Sequence, residues 1–189
     1  MTTVSDKHVE RAIRRASYGD ATAFARLYDL YADRIYAYVR SRVRTTEDAE
    51  DLTETVFMKA WEAIGSYDDR GLPFSAWLFR IARNVVIDRH RKSEREPDAV
   101  DLNAAAAVPD PAVTEDTVMA RLDGDTVRDA LRGLTEDQAS VIVMRFMWDM
   151  SLRDVADAMG RSEGAVKAMQ HRAVRALATL LSRGNDEDE

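Results

Sequence analysis

The 189-residue chain is 46% hydrophobic and 32% charged, with 34 acidic against 27 basic side chains and a net charge of −7. That is enough chain for one medium domain or two small ones with real cores, and the acidic total excludes an indiscriminate polyanion binder, because phosphate attraction scales with positive charge. Without cysteine there is neither a disulfide framework nor a thiolate metal site.

The opening "MTTVSDKHVERAIRRASYGD" is charged throughout and lacks the apolar stretch of a signal peptide. No apolar run approaches the roughly 20 residues of a membrane-spanning helix. Together with the missing cysteines, this predicts a cytoplasmic protein with no membrane contact of its own. Next, Phe24, Leu27, Tyr28, Tyr31, Ile35, Tyr38 and Val39 recur at steps of three and four, one face of an amphipathic helix. Leu52, Val56, Ala60, Trp61 and Ile64 repeat the pattern in a second helix. "GSYDDRGLPF" follows as a loop, its glycines and Pro73 breaking the periodicity. "FSAWLFRIARNVVIDRHRK" then predicts a third helix with Trp77, Leu78, Ile81, Val85 and Val86 inward. Trp77 is read as core, while spacing alone does not decide Phe74.

Residues 93–116 hold three of the four prolines and seven acids against one arginine, with no apolar periodicity. They read as a flexible acidic linker. The chain therefore divides into domains at 1–92 and 117–184, with an acidic tail at 185–189. Alternating runs of strand length are nearly absent, so the expected fold class is all-α, two small helical domains.

Near the end, "SLRDVADAMGRSEGAVKAMQHRAVRALATL" predicts two helices joined by a very short turn. Ser151 suits an N-cap with Asp154 three residues on, Gly160 supplies the turn, and Ser162 caps the next helix. That is the signature of a helix-turn-helix. At about 100° per residue, Val166, Met169, Ala173, Leu177 and Leu180 face inward. Lys167, His171 and Arg175 face outward beside Ala168, and Gly164 sits in the first turn, where backbone can approach a phosphate. Like charges along one helix stripe repel. The stripe is thus either a solvated face of an ordinary helical hairpin or a surface for a polyanion. Charge is uneven elsewhere too: 78–92 holds five Lys/Arg and one acid, whereas 47–62 holds six acids and one Lys. Patches of both signs point to more than one kind of partner.

"DAEDLTETVFMKAW" (48–61), "FSAWLFRIARNVVIDRHRK" (74–92) and "LTEDQASVIVMRFMWDMSLRDVADAMGRSEGAVKAMQHRAVRAL" (134–177) together resemble the extracytoplasmic-function group of the sigma-70 family. These are bacterial sigma factors reduced to two helical domains, regions two and four, joined by a flexible linker. The resemblance implies a sigma factor that directs core RNA polymerase to specific promoters and initiates transcription. By the same resemblance Asp48, Glu50, Asp51 and Glu54 dock on core polymerase; Glu54 stands where many relatives carry Gln. Residues 66–74 would capture a flipped base of the minus-ten element, with Arg80, Arg83, Asn84, Arg89 and Arg91 contacting phosphates and bases. In the second domain, Lys167, Ala168 and His171 fall where relatives read bases of the minus-thirty-five element. Arg161, Arg172 and Arg175 fall where relatives more often meet phosphate. Many relatives have "VKSRLHRAR" where this chain has "VKAMQHRAV", which bears on base preference. The resemblance also implies an anti-sigma partner and a linker that threads toward the polymerase active-site channel. In the free chain a folded-back pair of domains is expected to bind DNA poorly.

The alternative is a stand-alone helix-turn-helix transcriptional regulator, whose other domain would usually be a receiver or a ligand pocket; a purely scaffolding helical module is a further possibility. No enzyme, cofactor or metal site is expected: His8, His90 and His171 are far apart and form no HExxH or nucleophile motif.

Overall fold

The computed structural model describes residues 6–68, 71–93 and 130–186. The linker from residue 94 and tail residues 187–189 lie outside them. Every regular element among the described residues is helical, as the periodicity predicts. In chain order these are α1 (Asp6–Ser17), α2 (Ala21–Arg40), α3 (Thr46–Ala63), a 3-10 turn (Ile64–Ser66) and α4 (Phe74–Ser93). After a helical turn at 130–132 come α5 (Glu136–Ile142), a π-helical stretch (Val143–Met147), α6 (Leu152–Met159) and α7 (Glu163–Asp186). Helix α7 thus runs through the first two residues of the expected tail, Asn185 and Asp186.

Gly19, at φ +86, turns the chain between α1 and α2, and the Asp20 carboxylate caps α2 by accepting from the Ala23 amide at 3.0 Å. That bond, then the Arg15 guanidinium, holds the Asp20 carboxyl below its usual range. Leu27, Ile35, Tyr38 and Val39 are buried on α2, as are Val56, Ala60 and Ile64 after it. Two of the predicted inward residues are corrected: Tyr28 is 41% exposed and Trp61 37% exposed. Phe57 fills the α2–α3 seam instead. Its ring lies 4.6 Å from Tyr28 and 6.4 Å from Phe24, while Trp61 stacks edge-on against Phe24 at 5.0 Å. Each displaced ring is left with one face against the seam and the other in water.

Helix α4 is covered on more than one side, by α2, α3 and α6. Phe74, Trp77, Leu78, Phe79, Val85 and Val86 are consequently all buried, which settles Phe74 as core. Tyr67, Phe74 and Trp77 form a mutual aromatic triad with ring centres 5.2 to 5.6 Å apart.

The helix-turn-helix forms as its capping residues dictate. The Ser151 hydroxyl accepts from the Asp154 amide at 3.1 Å and donates to the Asp154 carboxylate at 2.7 Å. Gly160 adopts the left-handed conformation (φ 63, ψ 38), and the Arg161 amide closes back on Ala156 at 2.9 Å, a Schellman-type end. The Ser162 hydroxyl accepts from the Ala165 amide at 3.3 Å.

The two helical groups pack against each other. Trp148, following the π-helical stretch, is 5% exposed. Its ring meets Phe79 edge-on at 5.5 Å and Tyr31 at 6.1 Å. Beside this plug the buried Tyr38 hydroxyl donates to Glu136, whose other carboxylate oxygen accepts from Arg42 at 3.0 Å. Arg42 also donates to the Leu131 carbonyl at 2.8 Å and to that of Leu134 at 3.3 Å.

Candidate functional site

Three charged surfaces emerge, each on the outward face of one helix. On α3 the Thr45 hydroxyl caps the first turn, accepting from the Asp48 amide at 3.1 Å. The acids that follow suit a helix N-terminus because they meet its partial positive charge. At about 100° per residue, Glu47, Glu50, Asp51 and Glu54 share one outward stripe, and all are exposed. Asp48 does not join them: it turns toward α4 and pairs with Arg89 at 3.2 Å. The stripe continues with Met58, 64% exposed, and Trp61. Sequence reasoning placed Trp61 in the core, because apolar side chains at helical spacing are read so, and left Met58 unplaced. Acids running into exposed apolar bulk have the composition that a basic partner with apolar area of its own complements.

On α4, Arg80, Asn84 and Arg91 fall within about 40° of one another on the outward side, and all three are exposed. Arg91 lies 4.0 Å from Asp88, a distance at which an exposed pair contributes little. Arg89 projects from the opposite side, toward Asp48. Arg83 lies between, half-buried, and reaches Asp137 on α5 at 2.5 Å. Of the five α4 residues expected at DNA, the structure therefore aligns three and turns two aside. The expected base-capture loop lies beside this helix, closed by a 2.8 Å bond from the Tyr67 hydroxyl to the Leu72 carbonyl; its residues 69 and 70 fall outside the described set.

On α7, Lys167, Ala168, His171, Arg172 and Arg175 are all exposed and span about 140° of the helix circumference. Val166, Met169, Ala173 and Leu177 are buried opposite, with Leu180 half-buried. Gly164 is exposed in the first turn, and a β-carbon added there would meet nothing within 4 Å. Gln170 faces inward, where Arg145 donates to its amide oxygen at 3.2 Å. This departure from "VKSRLHRAR" is thus spent on packing.

Arg161, in the turn before α7, pairs with Asp137 at 2.8 Å. Asp137 therefore holds one arginine from each expected DNA surface, Arg83 through one carboxylate oxygen and Arg161 through the other. The sequence carries a local sign of this segment: "TEDQ" forms a capping box, with Thr135 and Gln138 bonded reciprocally. It carries none of the pairing to Arg83, which is 54 residues distant. Among the described residues no group of three or more potential ligands could hold a metal ion, and no helix is long and apolar enough to cross a membrane.

Residues 27–96 match the model of Sigma-70 region 2, and residues 130–179 match that of Sigma-70, region 4. The chain is 41% identical over 175 residues to the ECF RNA polymerase sigma factor BldN of Streptomyces coelicolor, covering 89% of this chain and 64% of that protein. It is 31% identical over 183 residues to the ECF RNA polymerase sigma factor SigW of Bacillus subtilis, covering 92% and 96%. Among solved structures it resembles CnrH in complex with the cytosolic domain of CnrY (TM-score 0.67, 27% identity, 93% and 98% covered). It also resembles the sigma factor RpoE in complex with the anti-sigma factor NepR from Bartonella quintana (TM-score 0.66, 30% identity, 84% and 96% covered). With both regions present in order and a relative matched over almost its whole length, the chain belongs to the extracytoplasmic-function sigma factors of the sigma-70 family.

Proposed function

We propose that this sigma factor docks on core RNA polymerase through the outward stripe of α3, with Glu50, Asp51 and Glu54 at its acidic end and Met58 and Trp61 at its apolar end. Helix α4 then offers Arg80, Asn84 and Arg91 to the melted minus-ten element, beside the loop at 66–74. Helix α7 enters the major groove at the minus-thirty-five element. There Lys167 and His171 meet base edges, and Arg172 and Arg175 meet phosphate. Ala168 lies against the bases, small enough to allow close approach. The working units are those of the sequence reading, 1–92 and 117–184, and the protein acts in the cytoplasm without a catalytic centre or cofactor.

The observation that carries this reading is Asp137. One carboxylate occupies Arg83 and Arg161 together, in the place two promoter phosphates would take, so the free chain is closed against DNA. Asp48 similarly engages Arg89. Polymerase binding would separate the halves to promoter spacing, freeing Arg83 from Asp137 and joining two weak DNA contacts into one cooperative event; Arg161, on the same half as Asp137, would be left for a phosphate to compete for. The structural relatives were solved with CnrY and NepR bound, which supports an anti-sigma partner for this chain also.

Gel filtration of the purified chain with core polymerase tests the docking. Co-elution is expected, and Asp51→Arg should weaken it by about tenfold or more, as reversal of a charge facing a complementary surface does. Clean separation of the parent chain from core would leave a stand-alone helix-turn-helix regulator.

A further inference from the structure

Helix α1 carries a charged face that none of the foregoing uses. Val9, Ala12, Ile13 and Ala16 pack inward, the alanines buried and the other two half-buried. On the opposite side, within about 60° of arc, stand Lys7, Arg11 and Arg14, all exposed. None forms an ion pair with any described residue, whereas neighbouring Arg15 is held by Asp20 at 2.5 Å. The stripe ends at Tyr18, 88% exposed, the most exposed large hydrophobic side chain among the described residues. Arg14, Arg15, Tyr18, Gly19 and Asp20 line a shallow open depression of about 350 Å³ at this corner.

The position of that corner matters. Helix α1 packs on the 3-10 turn Ile64–Ser66, and a β-carbon added to Gly65 would lie 3.7 Å from the Ser17 carbonyl oxygen. The 3-10 turn leads directly into the loop proposed to capture a minus-ten base. A bare aromatic ring at the end of three free cations, next to a strand-capturing loop, has the composition of a single-strand track: cations for the backbone and a ring for a base. A protein partner would be expected to bury Tyr18 among other apolar groups, but the residues around it are charged or glycine.

We propose that the outward face of α1 is a further single-stranded DNA contact, in which Lys7, Arg11 and Arg14 follow the phosphates of the strand leaving the 66–74 loop and Tyr18 stacks on one base. The proposal rests on the sigma-factor reading of that loop. It adds a site to the two promoter surfaces, one that acts only after melting.

The test uses the full chain assembled with core polymerase and a promoter fragment selected from random-sequence duplex by the parent holoenzyme. Open-complex lifetime is measured by heparin challenge between about 50 and 200 mM salt. For the triple variant Lys7→Gln, Arg11→Gln, Arg14→Gln, the lifetime should fall about tenfold or more and its logarithmic salt slope should become shallower by about 2, as three lost single-strand phosphate contacts require. Co-elution with core should be unchanged. Tyr18→Ala, which keeps the charges, should shorten the lifetime about fivefold with the salt slope intact. Equal lifetimes and slopes for the triple variant and parent would overturn the proposal. Loss of co-elution with unchanged lifetime of the complexes that still form would also overturn it, by giving the stripe to a protein interface. If the parent holoenzyme selects no promoter, the sigma reading of the loop fails, and the α1 proposal falls with it.

Discussion

Lys167 and Tyr38 show how differently single residues act in this protein. Lys167 is exposed on α7 and touches no core, so Lys167→Ala should leave folding and polymerase co-elution untouched. It should lower transcription from a minus-thirty-five-dependent promoter about tenfold, the usual scale of one good base contact. Equal transcript yields from parent and variant would remove it from the reading surface. Tyr38 is the reverse case, a buried phenol donating to Glu136. Burial, reinforced by the Glu136 carboxylate, pushes its pKa well above the ordinary 10.0. The folded chain therefore keeps the proton where the unfolded chain releases it. The stability Tyr38 contributes is complete below about pH 10 and is lost as pH rises beyond it. Urea midpoints measured from pH 8 to 11 should fall more steeply for the parent than for Tyr38→Phe. Parallel curves would show that this phenol does not govern the alkaline loss.

At the scale of elements, the helix-turn-helix was legible because its signals are local. Ser151, Gly160 and Ser162 each answer a need of the backbone within a few residues, and the structure places each in that role. Gly160 tests this directly. Its φ of 63 is unfavourable for a residue with a β-carbon, and space is open around it, so Gly160→Ala carries a conformational cost without a clash. That cost is about 1 kcal/mol, a fall of about 2 to 4 °C in Tm for a chain of this size, with Gly160→Asn closer to the parent. Identical melting of all three would mean that the turn is not held by backbone conformation. Helix faces were legible less evenly. On α2 and α3 the three- and four-residue spacing identified the buried stripe but ran past it at Tyr28 and Trp61, since periodicity gives direction and not the width of the covering neighbour. On α4 it stopped short of Phe74, which packs among Tyr31, Tyr67 and Trp77, and of Phe79, which meets Trp148 from the far end of the chain. The π-helical stretch Val143–Met147, which delivers Trp148 to that contact, has no sequence signal comparable to a cap or a turn.

The whole molecule depends on contacts that no local pattern encodes. Trp148 joins the halves by burying its ring against Phe79 and Tyr31, yet its indole N–H is buried without a partner among the described residues. A buried donor left unpaired costs about 1–3 kcal/mol, and opening the halves returns it to water. Closure therefore combines apolar burial with a polar penalty, an arrangement suited to separation by a competing partner. Of the two pairs on Asp137, the one with Arg83 joins the halves and adds to the closed side. Both groups are partly exposed, so this pair contributes at most about 1 kcal/mol, and removing it should shift the equilibrium toward the open form by about fivefold at most. Asp137→Asn keeps the shape of the side chain and removes the charge. Because the chain has no cysteine, Lys59→Cys and Glu163→Cys, both at exposed positions, would accept a pair of dyes without competing thiols. Single-molecule energy transfer in the free chain should then show a larger low-efficiency population for Asp137→Asn. The same variant should bind promoter DNA more tightly without polymerase, because Arg83 and Arg161 are freed together. Unchanged distances with unchanged DNA affinity would mean that the apolar contact alone closes the molecule, and Asp137 would lose its place as the internal competitor of promoter phosphate.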